Sequence, residues 1–410
     1  MLKNIKSNFI LKKIISHLID GIKFKLIAHN KNIQQILNID IIDFQLFSGK
    51  YKINDEKGKV KIYHAFKEKL IYEGGYLNGK KHGKGKEYDL YNTLIFEGEY
   101  LNGKKWIGKG IFYNDYGDKI YEGEIFNGIR HGKGKEYGDF DTTFEGEFLN
   151  GQRWNGRGLE FDFNNFYKYE GDFLNGKRNG KGREYKRYIE MNKGGFVYQL
   201  IFEGEYLNEK RHGKGSEFNY GGYAGRLKFE GEYLNGKRHG KGREYNYNGK
   251  LIFEGDYLNG KRHGKGKEYS SYKKLKFEGD YIYGYKKRGK EYFNDNIFMN
   301  LFGKKIDGKE EEEIGKLKYE GEYLFEEKNG RGKEYNEDGE LIFEGEYLKN
   351  KMWNGKYKEY VDDKLIFDGE ILEGKKWNGK ENEYEEDKLI LVKEYLNGEI
   401  KVKFDKNLKE

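Results

Sequence analysis

The sequence predicts a mainly β protein: an elongated single-layer antiparallel sheet of consecutive hairpins, with a small helical region at its N-terminus. Three observations carry that prediction. First, the stretch Phe253 to Tyr269, FEGDYLNGKRHGKGKEY, recurs, with copies beginning at Tyr72, Phe96, Tyr121, Phe144, Tyr169, Phe202, Phe229, Phe253, Phe277, Tyr319, Phe343 and Phe367. The interval stays near 24 residues and widens strongly only after Tyr169, to 33, and after Phe277, to 42. Self-similarity at a fixed period means that each unit buries its apolar surface against its neighbours alone. Second, each copy centres on a dipeptide such as Asn259-Gly260, which favours a two-residue turn with positive φ at both positions. Third, hydrophobic residues make up only 36% of the chain while aromatics make up 17%, so rings must supply the core.

A two-residue turn sets a register. Leu258 should face Lys261 and Tyr257 should face Arg262. Continuing the count places Phe253 opposite Gly266 and Gly255 opposite Gly264 on the same face. On the other face Glu254 meets Lys265 and Asp256 meets His263. The glycines leave room on the aromatic face for a ring of the next unit.

The unit resembles the MORN repeat (membrane occupation and recognition nexus), whose pattern runs approximately Y-E-G-E-W-x-N-G-K-x-H-G-x-G. Phe229 or Tyr72 stands at the opening aromatic, and Tyr100, Phe148 or Tyr233 at the Trp position. The resemblance spans about residues 47 to 399. It implies a twisted single sheet of consecutive hairpins, used in scaffolds, in membrane-apposed spacers and as attachments to enzymes.

In chain order, residues 1–45 read as a small helical region. Ile10, Leu11, Ile14, Ile15 and Leu18 share one helical face after Ser7 as N-cap, and shorter helices follow from Lys23 to Asn30 and from Asn32 to Leu37. Three readings stand side by side here. One is a cap over the first strand edge; another is an amphipathic helix on a membrane surface. The third rests on ILKKIISHLIDGIKFKLIAHNKNIQQIL, which resembles an F-box and implies a Skp-type adaptor as partner and a ubiquitin-ligase substrate receptor as function. Residues 46–70 form a degenerate first repeat around Phe47 to Tyr51. Residues 71–290 hold repeats with a net charge of +10, against +8 for residues 1–70. The long interval after Tyr169 contains Tyr188 to Gln199, a hairpin extension or loop. Residues 291–318 are a degenerate repeat or insertion, since Gly303 to Glu310 copies Gly374 to Glu381. Residues 319–410 are repeats and a C-terminal cap; from 291 onward the net charge is −10.

Composition excludes several functions. Without Cys or Pro there is neither a disulfide frame nor a Cys-based zinc site, which fits a cytoplasmic location or one peripheral to membranes. No apolar run reaches the ~18 residues that span a bilayer. Paired carboxylates such as Glu97 and Glu99 recur in most units and are structural. His82, His131, His212, His239 and His263 occupy one repeat position, with neighbours about 10 Å apart, too far to share a metal. Glycine-rich stretches such as Gly260 to Gly266 lack the Gly-Lys-Ser or Gly-Lys-Thr of a phosphate loop. No catalytic, cofactor or metal residue is expected, and no nucleic acid. The candidate site for an anion or partner is the basic ladder over adjacent turns: Lys237, Arg238, Lys241 and Arg243 with Lys261, Arg262, Lys265 and Lys267. The leading expectation is a non-enzymatic scaffold for protein partners. The second is a peripheral tether that binds anionic phospholipids through these turns.

Overall fold

A computed structural model describes residues 13, 33–35, 49–54, 59–64, 67–138, 142–162, 164, 166–190, 195–293 and 315–405. Apart from Lys13 and residues 33–35, the helices expected before residue 45 lie outside the described residues, and with them the F-box-like and cap readings. The chain divides into two compact units, Met1–Glu160 with Asp172–Lys177, and Phe161–Gly171 with Arg178–Glu410.

Each unit is an open antiparallel sheet of consecutive hairpins. The chain runs through β1 (Lys50–Asn54), β2 (Val60–His64), β3 (Leu70–Leu77), β4 (Lys80–Tyr88), β5 (Leu94–Leu101), β6 (Lys104–Tyr113), β7 (Lys119–Phe126), β8 (Ile129–Tyr137), β9 (Thr142–Leu149) and β10 (Gln152–Phe161). It continues with β11 (Tyr167–Leu174), β12 (Lys177–Glu190), β13 (Gly195–Leu207), β14 (Lys210–Phe218), β15 (Leu227–Leu234), β16 (Lys237–Tyr245), β17 (Leu251–Leu258), β18 (Lys261–Tyr269) and β19 (Leu275–Ile282). The last strands are β20 (Tyr285–Tyr292), β21 (Leu317–Leu324), β22 (Glu327–Tyr335), β23 (Leu341–Leu348), β24 (Lys351–Val361), β25 (Lys364–Leu372), β26 (Lys375–Glu385), β27 (Lys388–Leu396) and β28 (Glu399–Asp405). Strands pair with their neighbours in sequence, as β1 with β2 and β3 with β4 in the first unit and β16 with β17 and β17 with β18 in the second. β20 pairs directly with β21, and the degenerate repeat expected at 303–310 lies outside the described residues.

The turns form as the dipeptides predict, with φ of 50° at Asn259 and 88° at Gly260. The register beyond the turn does not. Leu258 faces Lys261 and Tyr257 faces Arg262, but Phe253 then faces Glu268, Glu254 faces Lys267 and Gly255 faces Gly266. The second strand takes in two extra residues at a bulge, where Gly264 turns to φ +71°. A residue with a side chain is strained in that conformation, so the repeat places glycine there. The bulge aligns the glycine of Glu-Gly-Asp with the second glycine of Gly-Lys-Gly.

That alignment makes the core. A Cβ on Gly266 would lie 2.6 Å from Phe253 Cζ, so the ring lies flat on bare backbone. Phe253 meets Tyr257 of its own hairpin at 5.6 Å between centroids and Tyr281 of the next at 5.3 Å, both edge to face. The same alternation links Phe202, Tyr233, Phe229 and Tyr257 in turn. In the first unit Tyr72 and Phe96 both meet Tyr100, and Phe144 meets Phe148. Phe253, Phe229, Tyr72 and Phe96 are fully buried. Each edge-to-face pair is worth about 0.5–1.5 kcal/mol beyond its buried area. The ring therefore fills the space above its own hairpin's glycines as well as meeting the next unit.

Hairpins also interlock at their turns. The Gly260 N–H donates to the Arg238 carbonyl at 2.9 Å and that of Gly284 to the Arg262 carbonyl at 2.8 Å. Each turn is thus pinned to the preceding hairpin, which fixes the stacking distance as well as the strand pairing.

Candidate functional site: two faces of opposite character

Alternation along the strands divides the eight basic candidates between two environments. Arg238 and Arg262 point to the ring face. The Arg262 guanidinium lies 4.0 Å from the Phe253 centroid, donates to Glu244 at 2.6 Å and to Glu268 at 2.8 Å. Arg238 repeats the arrangement over Phe229 at 4.0 Å and with Glu217 at 2.7 Å. Tyr257 Oη donates to Glu244 at 2.7 Å, so one carboxylate accepts from a ring hydroxyl and a guanidinium of the next hairpin. Burial alone would raise the Glu244 pKa; Arg262, Tyr257 and Arg238 nonetheless hold it below the usual carboxylate range. Burial, followed by the Glu244 charge, pushes the Tyr257 hydroxyl well above its ordinary value. These arginines roof the core and are largely withdrawn from a ligand.

The other six stay on the opposite side or at the turns. Lys237 and Lys261 begin their strands and are exposed. Lys241 pairs with Asp256 at 2.6 Å, and Arg243 with Glu254 at 3.3 Å. Lys265 and Lys267 share with Lys241 and Arg243 a groove of about 1080 Å³ in the second unit, running from Lys214 to Gly321. Its floor is the glycine row, including Gly231, Gly242, Gly255, Gly266, Gly279 and Gly289. Its two walls alternate in sign: Arg243, Glu254, Lys267, Glu278 and Lys290 succeed one another across paired strands on one side, and Lys265, Asp280 and Arg288 on the other. The first unit carries a like groove of about 860 Å³ lined by Glu97, Lys109, Glu122, Lys135 and Glu145. Sequence reading grouped all eight cations by proximity to the turn. It missed the Glu that precedes the closing aromatic of each hairpin, Glu217 before Phe218, Glu244 before Tyr245 and Glu268 before Tyr269, as the acceptor that holds the arginine.

Of the repeating histidines, His263 takes part in the stacking by a hydrogen bond. His263 Nδ1 accepts the Tyr283 N–H at 3.5 Å. In the hairpins that carry Trp-Asn-Gly instead, Asn155, Asn354 and Asn378 each accept at 2.9 Å from the N–H of Asn175, Glu373 and Asn397. Among the described residues no group of three or more His, Asp or Glu could hold a metal ion, and no helix is long and apolar enough to cross a membrane.

The MORN repeat profile matches residues 72–89, 121–142, 169–187, 202–218, 229–250 and 253–271. This chain is a MORN-repeat protein. No curated protein matches it. Beyond residue 271 the MORN geometry continues: Tyr319, Phe343, Tyr347, Phe367 and Ile371 form one buried cluster, and Tyr319 meets Tyr347 edge to face at 5.3 Å.

Proposed function

We propose that this MORN array is a non-enzymatic scaffold whose glycine-floored groove in the second unit holds a segment of a partner protein. One observation carries the reading: a groove with bare backbone at its floor and two walls of alternating charge. Such a surface offers little to a uniformly anionic ligand, because Lys241 and Arg243 already face Asp256 and Glu254. It suits a polypeptide that brings both signs of charge at matching intervals, which gives specificity and steering more than bulk affinity. The same pairing weakens the case for a lipid tether through the basic turns.

The test is capture of binding proteins from the native host by the full chain, beside a Lys265→Glu/Lys267→Glu variant. Both side chains are on the groove wall, so the fold should survive. The variant is expected to lose a defined set of partners. Recovery of the same set by both chains would sink the reading.

A further inference from the structure

Two adjacent hairpins of the second unit depart from the repeat at their turns. The first turn position lies in the left-handed region, with φ of 49° at both Tyr283 and Phe325. Every other non-glycine residue with positive φ among the described residues is Asn, Asp, Glu or Lys. A bulky ring in that conformation costs stability, which points to a use outside folding. Neither ring is withdrawn from water: Tyr283 is 59% exposed and Phe325 69%. Tyr285, at the strand start that Lys261 takes in the preceding hairpin, meets Phe325 edge to face at 5.5 Å and is itself exposed. With exposed Ile282 and Leu324 these rings make an apolar patch over two turns, bounded by Asn259-Gly260 on one side and Lys349-Asn350 on the other. An apolar patch with a polar rim marks a contact site.

The form of the patch narrows what it can hold. β19 to β22 are each paired on both sides, which leaves no edge for an added strand. Five side chains fall far short of the ~20–30 residues a side that hold a stable dimer. A docked helix needs an apolar stripe several turns long, and here the apolar surface ends at the polar turn on either side. Exposed rings at intervals are instead what a polyproline II segment recognises. The spacing agrees. Tyr283 and Phe325 hold equivalent positions in hairpins joined by the direct pairing of β20 with β21, so they repeat at about 10 Å, two strands of ~4.8 Å. Three residues of polyproline II advance ~9 Å. Lys287 and Glu327, two residues past Tyr285 and Phe325, are exposed and in no ion pair among the described residues. They can receive charged residues of either sign beside the prolines.

We propose that the Tyr283 and Phe325 patch is a docking site for a proline-rich segment of a partner protein, with prolines three residues apart resting on the two tip rings. None of its five side chains lines the groove, and the site does not depend on the groove's charged walls. These 410 residues contain no proline, so neither this chain nor a second copy of it supplies the ligand.

The test is fluorescence anisotropy of the full chain with a labelled peptide of Pro-Pro-Ala repeats between a terminal Arg and a terminal Glu, beside a control with alanine for every proline. The parent should bind the proline peptide saturably and the control at least about tenfold more weakly. Tyr283→Asn/Phe325→Asn copies two turns the chain already uses, Asn259-Gly260 and Asn208-Glu209, so the fold should persist. Its binding should fall at least about tenfold while its urea midpoint does not fall. Lys265→Glu/Lys267→Glu should bind the peptide like the parent, so the groove reading and this one can fail separately. The inference is overturned if the parent does not bind the proline peptide, if both peptides bind alike, or if the double Asn variant binds like the parent. It is equally overturned if that variant is markedly less stable, which would assign the rings to the fold. Two further results would overturn it: a parent dimer that the same variant splits into monomers, or loss of peptide binding in Lys265→Glu/Lys267→Glu.

Discussion

At the scale of the residue, the repeat works because backbone is left bare where a ring must lie. Adding a methyl at Gly266 meets the Phe253 ring at 2.6 Å, and neither strand can retreat without opening the ladder. Gly266→Ala should destabilise by about 1–3 kcal/mol in urea titration. Ionisation adds a pH signature. Tyr121 and Tyr245 are pushed up to about 12, in each case chiefly by burial. A tyrosine raised in the folded state contributes stability that is whole below pH 10 and lost as pH rises towards 12. Glu217 and Glu244 are depressed, so their contribution is present above the ordinary carboxylate value and lost as pH falls through the folded one. Stability should fall at both extremes, with absorbance near 295 nm reporting late tyrosine ionisation on the alkaline side; tyrosines that all titrate near 10 would refute the buried hydroxyls.

At the scale of the element, the hairpin is set by its turn and reshaped by its bulge. Glu373 occupies the left-handed first turn position with φ 51°, where most other turns use Asn. Glu373→Asn should raise thermal stability slightly, by about 0.5 kcal/mol, because Asn tolerates that conformation. Much of this level was legible. Asn259-Gly260 gave the turn and the first two cross-strand pairs, and aromatic alternation gave the face. The count failed past Asp256 because a strict period of two has no place for the residues that Gly264 adds. A second Gly in Gly-Lys-Gly was the available signal: a strand that needs glycine at alternate positions is approaching another backbone closely. The extension after Tyr169 was read as a hairpin extension or loop over Tyr188 to Gln199; the structure shows it as paired strand, contacted by Tyr220 and Gly221 of a loop more than twenty residues on.

At the scale of the whole molecule, contacts within each unit are local, so the repeats should behave as coupled modules. Excising Phe253 to Lys276, one full period, brings Phe229's hairpin against Phe277's with every stacking contact replaced in kind. The shortened chain should keep its β-sheet circular dichroism and unfold at a lower urea concentration; collapse of the spectrum would contradict modular stacking. The groove loses one period of both walls in that variant, so partner capture should weaken while the fold persists.

By itself, the sequence determined the period, the turns, the ring-bearing face and the sheet of hairpins, since each follows from neighbours a few residues apart. Only the tertiary structure decided which cations remain available. Arg262 and Lys265 are three residues apart in the same motif, yet one lies under Glu244 against a ring and the other opens on the groove. Alternation already puts the two on opposite faces; what the sequence could not show is that the carboxylate capturing Arg262 belongs to the hairpin before it.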